Sequence, residues 1–374
     1  MFSGIGGFEL GFSLAGIETS LLCECDELAQ SILKRRFPEV ELVADVKDLN
    51  SFCEDVAVVT AGFPCQNLSM AGDKSGIGGR SSTIVDELFR LLEHRRITWV
   101  VVENVYFMLH LAKGAGMAFI LKRLEDLGYY WAYRVVDSRS FGLAQRRRRV
   151  FIVASTVEDP RSVLLADDAG EVHWPIIDMA RPIGFYWTEG RSGNGLTGDA
   201  IPPLKAGSGI GIPSPPAVLL PNGRVVTPTI EAAERLQGFP ARWTSVPRNP
   251  RTRRHRWKLV GNAVSVPVSR WIGNRLQDPG VYLPVDDCPL DDAKTWPTAA
   301  YNVGGGRLVA RVSENPVKFR RARLSAFDTS SWPDLSKRAL SGFIARATAK
   351  NARLKYPDGF LTTLIRRRDK MKVG

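Results

Sequence analysis

Short apolar runs alternate with amphipathic stretches over the first 155 residues, and this alternation limits the folds open to the chain. The runs include Val56–Thr60 and Trp99–Val102, and stretches of helical spacing such as Glu27–Phe37 and Ile84–Arg95 lie between them. Strand and helix patterns in alternation predict an α/β fold of βαβ units around a mainly parallel sheet. Ligands of such sheets bind at the carboxyl ends of the strands. Candidate functional residues are therefore those that follow the apolar runs.

Beyond residue 155 the regular pattern is lost and then returns. Residues 156–225 are rich in Gly and Pro, show no long helical pattern and are too many for one connection within a compact domain. We predict an α/β domain over 1–155 and a small loop-rich or β-rich domain over 156–225. Regular patterning resumes over 226–280, and a basic, partly helical extension is predicted over 281–374.

The net charge of the 374-residue chain is +12, and it is unevenly distributed. Residues 301–374 contain 17 basic and five acidic side chains, so the rest of the chain is balanced. Such an excess indicates a polyanionic partner. Two interpretations of the extension stay open: a clamp on a nucleic-acid backbone, or a helical appendage packed on the body. If it is a clamp, deleting 301–374 is expected to flatten the salt dependence of DNA binding.

One helix is predicted within the extension. Asp334 is expected to cap it, and the helix is expected to run to about Asn351. Its apolar face consists of Leu335, Leu340, Phe343, Ile344 and Ala347, at helical spacing.

Cysteine usage and hydropathy bound the compartment. Five scattered cysteines form no disulfide framework and fit a reducing environment. The Cys23-x-Cys25 pair has no second pair beside it, so we expect no metal site. The longest apolar runs are far below the ~20 residues that span a bilayer. We therefore expect no membrane contact and a cytoplasmic protein.

Three sequence features outline a nucleotide-binding crevice. The glycine-rich turn Phe2–Phe8 leads into a helical stretch, Glu24 follows the next apolar run, and Asp45 ends the one after it. Acidic residues at strand ends bind ribose hydroxyls in nucleotide-binding folds. The turn lacks the last glycine of the dinucleotide fingerprint, since Glu9 occupies that place, which disfavours a dehydrogenase. The alternative without a function is that the turn is simply a flexible start to the chain.

Two further strand ends carry reactive side chains. Cys65 follows Val56–Thr60 on a tight turn, where a thiol can be activated, although most cysteines are small core residues. Glu103 ends the run Trp99–Val102 and is either a salt-bridged structural acid or a functional one. The stretch Gln145–Arg149 precedes another strand, and alternation places Gln145, Arg147 and Arg149 on one face.

In order and spacing, these residues resemble the C5-cytosine DNA methyltransferases. The motifs that carry the resemblance are FSGIGGF from Phe2, Glu24-x-Asp26, Asp45-Val46, GFPCQNLSMAG, ENV, QRRRRV, RLQGFP at Arg235–Pro240, and GNAV with Pro267. Each motif is weak by itself, but together they cover about residues 2–268. The resemblance implies an S-adenosylmethionine-dependent, Rossmann-like methyltransferase sheet with a small target-recognition domain inserted at the Gly/Pro-rich stretch, 156–225. It further implies that 1–155 is the first part of a catalytic and cofactor-binding domain, to which the chain returns over 226–280.

The resemblance also implies a mechanism and a set of catalytic residues. Cys65 would attack C6 of a cytosine, and Glu103 would hydrogen-bond or protonate N3 and hold the exocyclic amine. Arg149 would hold O2, with Arg147 nearby. C5 would then take the methyl group of S-adenosylmethionine. Because C6 is unreachable within the stack, the cytosine must leave the duplex.

The binding residues follow from the same motif matches. Cofactor contacts are implied for Phe2, Gly4, Gly6, Glu24, Asp45 and Asn262. Ser69–Ser82 resembles a loop that closes behind the base, and DNA contacts are expected from Gln66, Ser69, Arg80, Arg253 and Arg254. The family often has a Thr-Leu pair late in its recognition domain, where this chain has Pro203-Leu204.

The expected partner is double-stranded DNA, with a possible cognate restriction endonuclease, and the protein is expected to act as a monomer. A tRNA cytosine-5 methyltransferase is the same-chemistry alternative, and a catalytically inactive DNA-binding homologue is the alternative from another class. The family's first motif normally closes a full strand, yet only Met1 precedes Phe2. Either the true start lies upstream or the chain tolerates a shortened first strand, and we favour a truncated or misassigned start.

Overall fold

The computed structural model divides into two compact units whose sequences interleave. It describes residues 1–63, 84–191, 193–205, 207, 215–245, 250–290, 295–319 and 323–371, without the side chains of 250–254. The first unit consists of Met1–Asp137, Arg148–Glu171 and Val264–Lys318. The second unit consists of Ser138–Arg147, Val172–Ala263 and Phe319–Gly374.

The secondary structure follows the alternation seen in the sequence. The helices are α1 Gly7–Ser13, α2 Glu27–Arg36, α3 Ile84–His94, α4 Ala115–Asp126, α5 Arg161–Leu164, α6 Ile230–Leu236, α7 Pro250–Asn262, α8 Val266–Gln277, α9 Lys337–Ala347 and α10 Phe360–Lys370. The strands are β1 Leu21–Cys23, β2 Glu41–Val43, β3 Val58–Ala61, β4 Trp99–Val105, β5 Tyr130–Asp137, β6 Arg148–Ser155, β7 Ile183–Phe185, β8 Thr197–Gly198, β9 Ala217–Leu219, β10 Val225–Val226, β11 Cys288–Pro289, β12 Ala299–Asn302 and β13 Arg307–Val309. Among the described helices, none is both long and apolar enough to cross a membrane.

The first unit is an α/β structure, which confirms the predicted fold class. Its main sheet has the strand order β11-β13-β12-β5-β6-β4-β3. β3 and β4 run parallel because a helical crossover joins them. β6 is antiparallel to both β4 and β5. Residues 138–147, which include the 3-10 turn Ser138–Phe141, connect β5 to β6 without the long crossover that a parallel pair needs. The predicted parallel arrangement therefore applies to the pairs β1–β2 and β3–β4.

A cavity of about 330 Å³ lies in the first unit, lined by residues of β1 and β3. Among the described strands, β1 pairs only with β2 and β3 only with β4. Residues at the chain start bond to both at their carboxyl ends: Ser3 N–H donates to the Cys23 carbonyl at 3.0 Å, and the Met1 ammonium to the Thr60 carbonyl at 2.7 Å. The cavity is lined by Met1 and by residues at the amino ends of the two strands, among them Leu21 and Val58.

Filling this cavity is expected to stabilise the fold. An extension of about five β-branched residues before Met1 has the length of an ordinary strand and would bury apolar area between β1 and β3. We expect the melting temperature to rise by a few degrees, because each additional ~1 kcal/mol moves it by about 2–4 °C in a unit of this size. Scanning calorimetry measures the change. A Gly/Ser extension of equal length is the control, and an equal rise with it would contradict the prediction.

The stretch 281–318 completes one edge of the main sheet. β12 pairs with β5 in antiparallel register, Tyr301 opposite Ala132, and β13 follows. Glu125 of α4 fixes this edge by accepting hydrogen bonds from Arg307, Asn302 and the Trp131 indole at 2.7–3.0 Å. Burial raises the pKa of Glu125, but these donors outweigh it, so the pKa lies below its ordinary value.

The Glu125 cluster predicts a pH dependence of stability. Because its pKa is lower in the folded protein than in the unfolded chain, the stabilisation is complete above the unfolded pKa of about 4.3. It is lost as the pH falls through the folded value. The side chain is 25% exposed, so solvent screening limits the contribution to about 1 kcal/mol. Glu125→Gln should therefore flatten the acid limb of melting temperature against pH. Asp126→Asn, which removes a surface ion pair with Lys122, is the control and should leave that limb unchanged.

The second unit is built from a small sheet and two C-terminal helices. The sheet has the order β10-β9-β7-β8, with antiparallel pairing throughout its described strands. Its apolar face packs against α9 and α10 in one core, whose buried members are Ile183, Phe185, Ala217, Leu219, Val225, Leu335, Leu340, Phe343, Ile344, Ala347, Phe360 and Leu364. The C-terminal helices are therefore part of the second unit's core.

The compact units divide the chain at other residues than the predicted domains. The stretch treated as one extension, 281–374, is shared: 281–318 lies in the first unit and 319–374 in the second. Residues 281–318 join the first unit through strand pairing, and 319–374 join the second unit through apolar packing. Neither contact produces a change in the local sequence pattern at residue 318. The apolar face predicted for α9 is buried as expected. Ser336, whose hydroxyl accepts from Ala339 N–H, caps this helix instead of Asp334, which pairs with Arg224 and Arg367.

Candidate active site

The glycine-rich turn at the chain start is held by a carboxylate from the neighbouring strand end. Glu24, which follows β1, accepts from Gly4 N–H and from Asp26 N–H, each at 2.8 Å. Phe2 and Gly4 have positive φ values of 55° and 56°, a conformation that a phenylalanine rarely adopts. A Cβ on Gly4 would meet no described atom within 4 Å, so open space lies beside this backbone. Strained backbone beside open space is typical of a ligand contact.

Two carboxylates lie at the carboxyl ends of the paired strands β1 and β2. Cys23 is opposite Val43, and Glu24 N–H donates to the Val43 carbonyl at 3.1 Å. Glu24 is half-buried, and Asp45, two residues past β2, is exposed. A carboxylate has about four lone-pair sites, and Glu24 uses one on each oxygen, for Gly4 N–H of the turn and for Asp26 N–H. This set of residues fits a ligand that carries hydroxyl donors, such as the ribose of S-adenosylmethionine.

The cysteines beside these carboxylates remain protonated thiols. Burial, with the nearby carboxylates Glu24 and Asp45, raises the pKa of Cys23 to about 11. Burial and the same carboxylates also raise the pKa of Cys25. Neither thiol is therefore set up as a nucleophile.

An ion pair lies at the carboxyl end of β4. Glu103 Oε1 is 3.1 Å from Arg149 Nε, and both side chains are largely buried, 9% and 14% exposed. The antiparallel register explains the pair: Glu103 is opposite Phe151 and Arg149 opposite Val105, so the two project from the same face as diagonal neighbours. A Cβ on Gly62, just past β3, would be 4.0 Å from Glu103 Oε2. The two strand ends named by the sequence therefore meet here.

Asn104 is a site residue for which sequence reasoning assigned no role. Its amide Nδ2 donates to the Phe63 carbonyl at 3.1 Å, and its Oδ1 accepts from Val105 N–H at 2.9 Å. Asn104 is 2% exposed. The ring of Phe63 also contacts that of Phe2 edge-on, with centroids 6.1 Å apart. Asn104 therefore ties the end of β4 to the residue two places before Cys65. The sequence feature that could have indicated a role for Asn104 is its position directly after Glu103.

Asn104→Asp is expected to slow catalysis while leaving the fold intact. The aspartate keeps the shape but cannot donate to Phe63, and it adds a negative charge beside Glu103. We expect a loss of about 1–3 kcal/mol of stability and a fall in kcat of about 10–100-fold. Cofactor affinity should fall less than kcat, because in the described contacts Asn104 reaches the glycine-rich turn through Phe63, whose ring packs on Phe2. Single-turnover methyl transfer and calorimetric cofactor binding measure the two quantities. A normal kcat with the stability loss would make Asn104 purely structural.

Several motif residues meet inside the second unit. Gln145 accepts from Leu204 N–H at 2.8 Å and donates to the Gln237 side chain at 3.0 Å. Arg147, 1% exposed, donates to the Gly261 carbonyl at 3.1 Å and to the Ala263 carbonyl at 2.8 Å. These two carbonyls flank Asn262, whose own side chain is exposed at the end of α7. The QRRRR, RLQGFP and GNAV motifs are thus linked by buried hydrogen bonds.

Among the residues expected to contact DNA, some lie in the described part of the structure and some lie outside it. In the basic stretch around α7, Arg256 binds the Thr244 hydroxyl at 2.9 Å and lies 3.3 Å from the fully buried Glu234. It therefore stabilises the unit internally. The side chains of Arg253 and Arg254 lie outside the described part of the structure, as do Cys65, Gln66, Ser69, Arg80 and the whole predicted loop Ser69–Ser82.

Comparison with solved structures identifies the fold. Dnmt2 of S. pombe superimposes with a TM-score of 0.53 at 15% identity, covering 74% of this chain and 97% of that one. The EhMeth methyltransferase of Entamoeba histolytica gives 0.52 at 16% identity, covering 74% and 96%. At such identities the likeness concerns the fold alone. The fold is that of the S-adenosylmethionine-dependent methyltransferases.

Sequence comparison identifies the family. The sequence model described as C-5 cytosine-specific DNA methylase matches residues 1–177. The chain is 42% identical over 386 aligned residues to the Type II methyltransferase M2.BsuMI of Bacillus subtilis, covering 99% of this chain and 97% of that protein. It is 28% identical to M.HaeII of Haemophilus aegyptius, covering 74% and 91%. The chain belongs to the C-5 cytosine-specific DNA methylase family, and the resemblance seen in its motifs is confirmed.

Proposed function

We propose that the strand-end residues of the first unit carry out cytosine C5 methylation of duplex DNA at a specific sequence. The observation that carries this proposal is the Glu103–Arg149 ion pair, since it places an acid and a fixed cation beside the strand end that leads to Cys65. Family membership supports the reaction.

The cofactor is proposed to lie against the glycine-rich turn. Gly4 borders the open space, and the remaining lone pairs of Glu24 can accept from the ribose hydroxyls. Phe2 can pack on the apolar part of the ligand, Gly6 shapes the turn with its φ of 84°, and Asp45 can accept from the adenosine portion. S-adenosylmethionine, when bound, supplies an electrophilic methyl group. Asn262 is proposed as a further contact, held by the bonds of Arg147 to the carbonyls on either side of it.

The chain's own residues activate the base. Cys65 forms a bond to C6 of the extruded cytosine, while Glu103 protonates or hydrogen-bonds N3, which receives the electrons displaced from the ring. Arg149 orients Glu103 and holds O2. The carbon C5 gains nucleophilic character and accepts the methyl group. Loss of the C5 proton and departure of the thiolate from C6 then restore the ring, as in other covalent catalysis.

Arg147 is proposed to act as a positioning residue. Its guanidinium donates to the carbonyls of Leu204, Gly261 and Ala263. A buried arginine that satisfies backbone carbonyls in this way fixes a chain crossing.

The proposed biological setting is restriction–modification. Several relatives are named Type II methyltransferases, among them M2.BsuMI. We propose that this chain marks one DNA sequence and so protects it from a cognate restriction endonuclease. A search of flanking genes for a nuclease, and protection of DNA from it, would test this part separately.

Expression in a bacterium that lacks cytosine methylation tests the enzymatic function. Bisulfite sequencing of the host DNA should show methylated cytosines in one sequence context, with none in a Cys65→Ser control. Host tRNA treated in the same way tests the tRNA alternative. Methylation confined to tRNA would refute the DNA proposal, and no difference between wild type and Cys65→Ser would refute the enzyme.

A further inference from the structure

The 186–195 loop of the second unit is bonded to residues 337–356, which comprise α9 and the chain after it and are called the C-terminal segment here. This loop, which follows β7, closes on itself through Tyr186 N–H to the Asn194 carbonyl at 2.7 Å and Gly190 N–H to the Gly193 carbonyl at 2.8 Å. Arg346 of α9 donates to the Trp187 carbonyl at 2.7 Å and to the Glu189 carbonyl at 3.0 Å. The loop backbone is therefore bonded to α9 on its inner side.

Further contacts fix the tip of the 186–195 loop. The Tyr356 hydroxyl donates to the Gly190 carbonyl at 3.0 Å, and Arg353 N–H donates to the Arg191 carbonyl at 3.1 Å. Gly190 has a φ of 129°, and a Cβ there would be 3.4 Å from the Phe343 ring, so the chain passes close against α9. The described loop residues, 186–191 and 193–195, are thus bonded in place before any ligand arrives, which reduces the entropic cost of binding.

The exposed charge of this region is positive. Arg191 at the tip is exposed, as are Lys350, Arg353 and Lys355 of the C-terminal segment, and within the described residues none of the four forms an ion pair. The loop's acid, Glu189, is already paired with Lys205. Burial lowers the pKa of the Arg346 guanidinium, and the nearby positive charge of Arg191 lowers it further. Exposed cations that are not neutralised by ion pairs favour a polyanionic ligand.

We propose that the 186–195 loop reads the target duplex, that Arg191 donates to a base edge, and that Arg346 is a positioning residue for the loop. This inference rests on the proposed function. An arginine on a fixed loop suits the bidentate donation that distinguishes guanine O6 and N7 in the major groove. The flanking Lys350, Arg353 and Lys355 supply backbone contacts that carry no sequence information.

The first experiment replaces Arg191 and measures discrimination. The substrates are a duplex with the context found by bisulfite sequencing and duplexes that each change one base pair of it. Arg191→Ala should lower kcat/KM on the target by about tenfold or more and reduce discrimination at one position. Arg191→Lys should behave like Arg191→Ala, because lysine cannot donate as a planar fork. Arg270→Ala, at an exposed arginine of α8, is the matched control and should equal wild type.

Each outcome bears on a separate claim. If the wild type methylates no DNA, the proposed function fails and this inference with it. If the wild type methylates DNA but Arg191→Ala keeps full rate and discrimination, the inference alone is overturned. If Arg191→Lys restores both quantities, the contact is to phosphate and base reading is overturned.

The second experiment tests the positioning role of Arg346. Arg346→Gln removes the bonds to the Trp187 and Glu189 carbonyls without touching DNA. It should reproduce the loss of discrimination of Arg191→Ala while cofactor affinity stays at the wild-type value. The double variant should be no worse than Arg191→Ala alone, because both act through one contact. Additive losses, or a lowered melting temperature with normal discrimination, would remove the positioning role.

Discussion

Glu103→Gln is expected to lower the rate of methyl transfer by about 10²–10⁴-fold. The amide keeps the shape of the side chain but can neither protonate N3 nor form the charged pair with Arg149, 3.1 Å away. Cofactor and DNA affinity should remain near wild type, since neither the turn at Phe2–Gly6 nor the second unit is changed. Single-turnover transfer of a labelled methyl group to duplex DNA measures the rate.

Two controls decide whether the loss belongs to this carboxylate. Glu93→Gln removes a surface partner of Arg123 and should leave the rate unchanged. Arg149→Ala should lower the rate as well, and adding Glu103→Gln to it should cause little further loss, because residues that act as a unit are not additive. A Glu103→Gln rate within about threefold of wild type would exclude the acid role, since general acid catalysis contributes at least about 10²-fold.

Phe343→Ala is expected to destabilise the second unit by about 3–5 kcal/mol. The ring is fully buried, with its centroid 4.9 Å from that of Phe185 and 6.5 Å from that of Phe360. The cavity left behind removes contacts from the sheet and from both C-terminal helices. Sequence-specific DNA binding should be lost with the unit. Calorimetry and binding to the target duplex measure the effect.

The control for this core change is a phenylalanine in the same segment. Phe319 is 59% exposed, and Phe319→Ala should change stability by about 0.5 kcal/mol or less. Deletion of residues 319–374 should go further than Phe343→Ala, because it uncovers the whole apolar face of the small sheet. A soluble truncated chain that binds the target normally would contradict the shared core.

The shared core also changes how a DNA clamp has to be tested. Deleting 301–374 removes β13 and half of β12 from the first unit's sheet, and it removes α9 and α10 from the second unit's core. A flattened salt dependence after such a deletion would report unfolding. Replacing exposed basic side chains such as Arg366 and Lys370 one at a time leaves both cores intact. The salt dependence of DNA binding then reports the contribution of each positive charge.

Local pattern was sufficient for the elements and the chemistry of the first unit. Alternating apolar runs predicted β3, β4 and β6, because a strand buried on both faces must be apolar along its length. The acids expected at strand ends also lie there: Glu24 directly follows β1, Asp45 is two residues past β2, and Glu103 is near the end of β4. The motif order predicted the family, and so the reaction, without any knowledge of packing.

Only the tertiary structure decided which distant segments share a core. The +12 charge indicated a polyanion partner, yet it gave no sign that α9 and α10 complete the second unit or that β12 and β13 extend the first. Asn104 and Arg346 likewise look ordinary in sequence, since their roles are hydrogen bonds to the carbonyls of Phe63 and Trp187. Periodicity records which face of an element is buried, whereas the partner of that face is fixed by contacts between residues far apart in the chain.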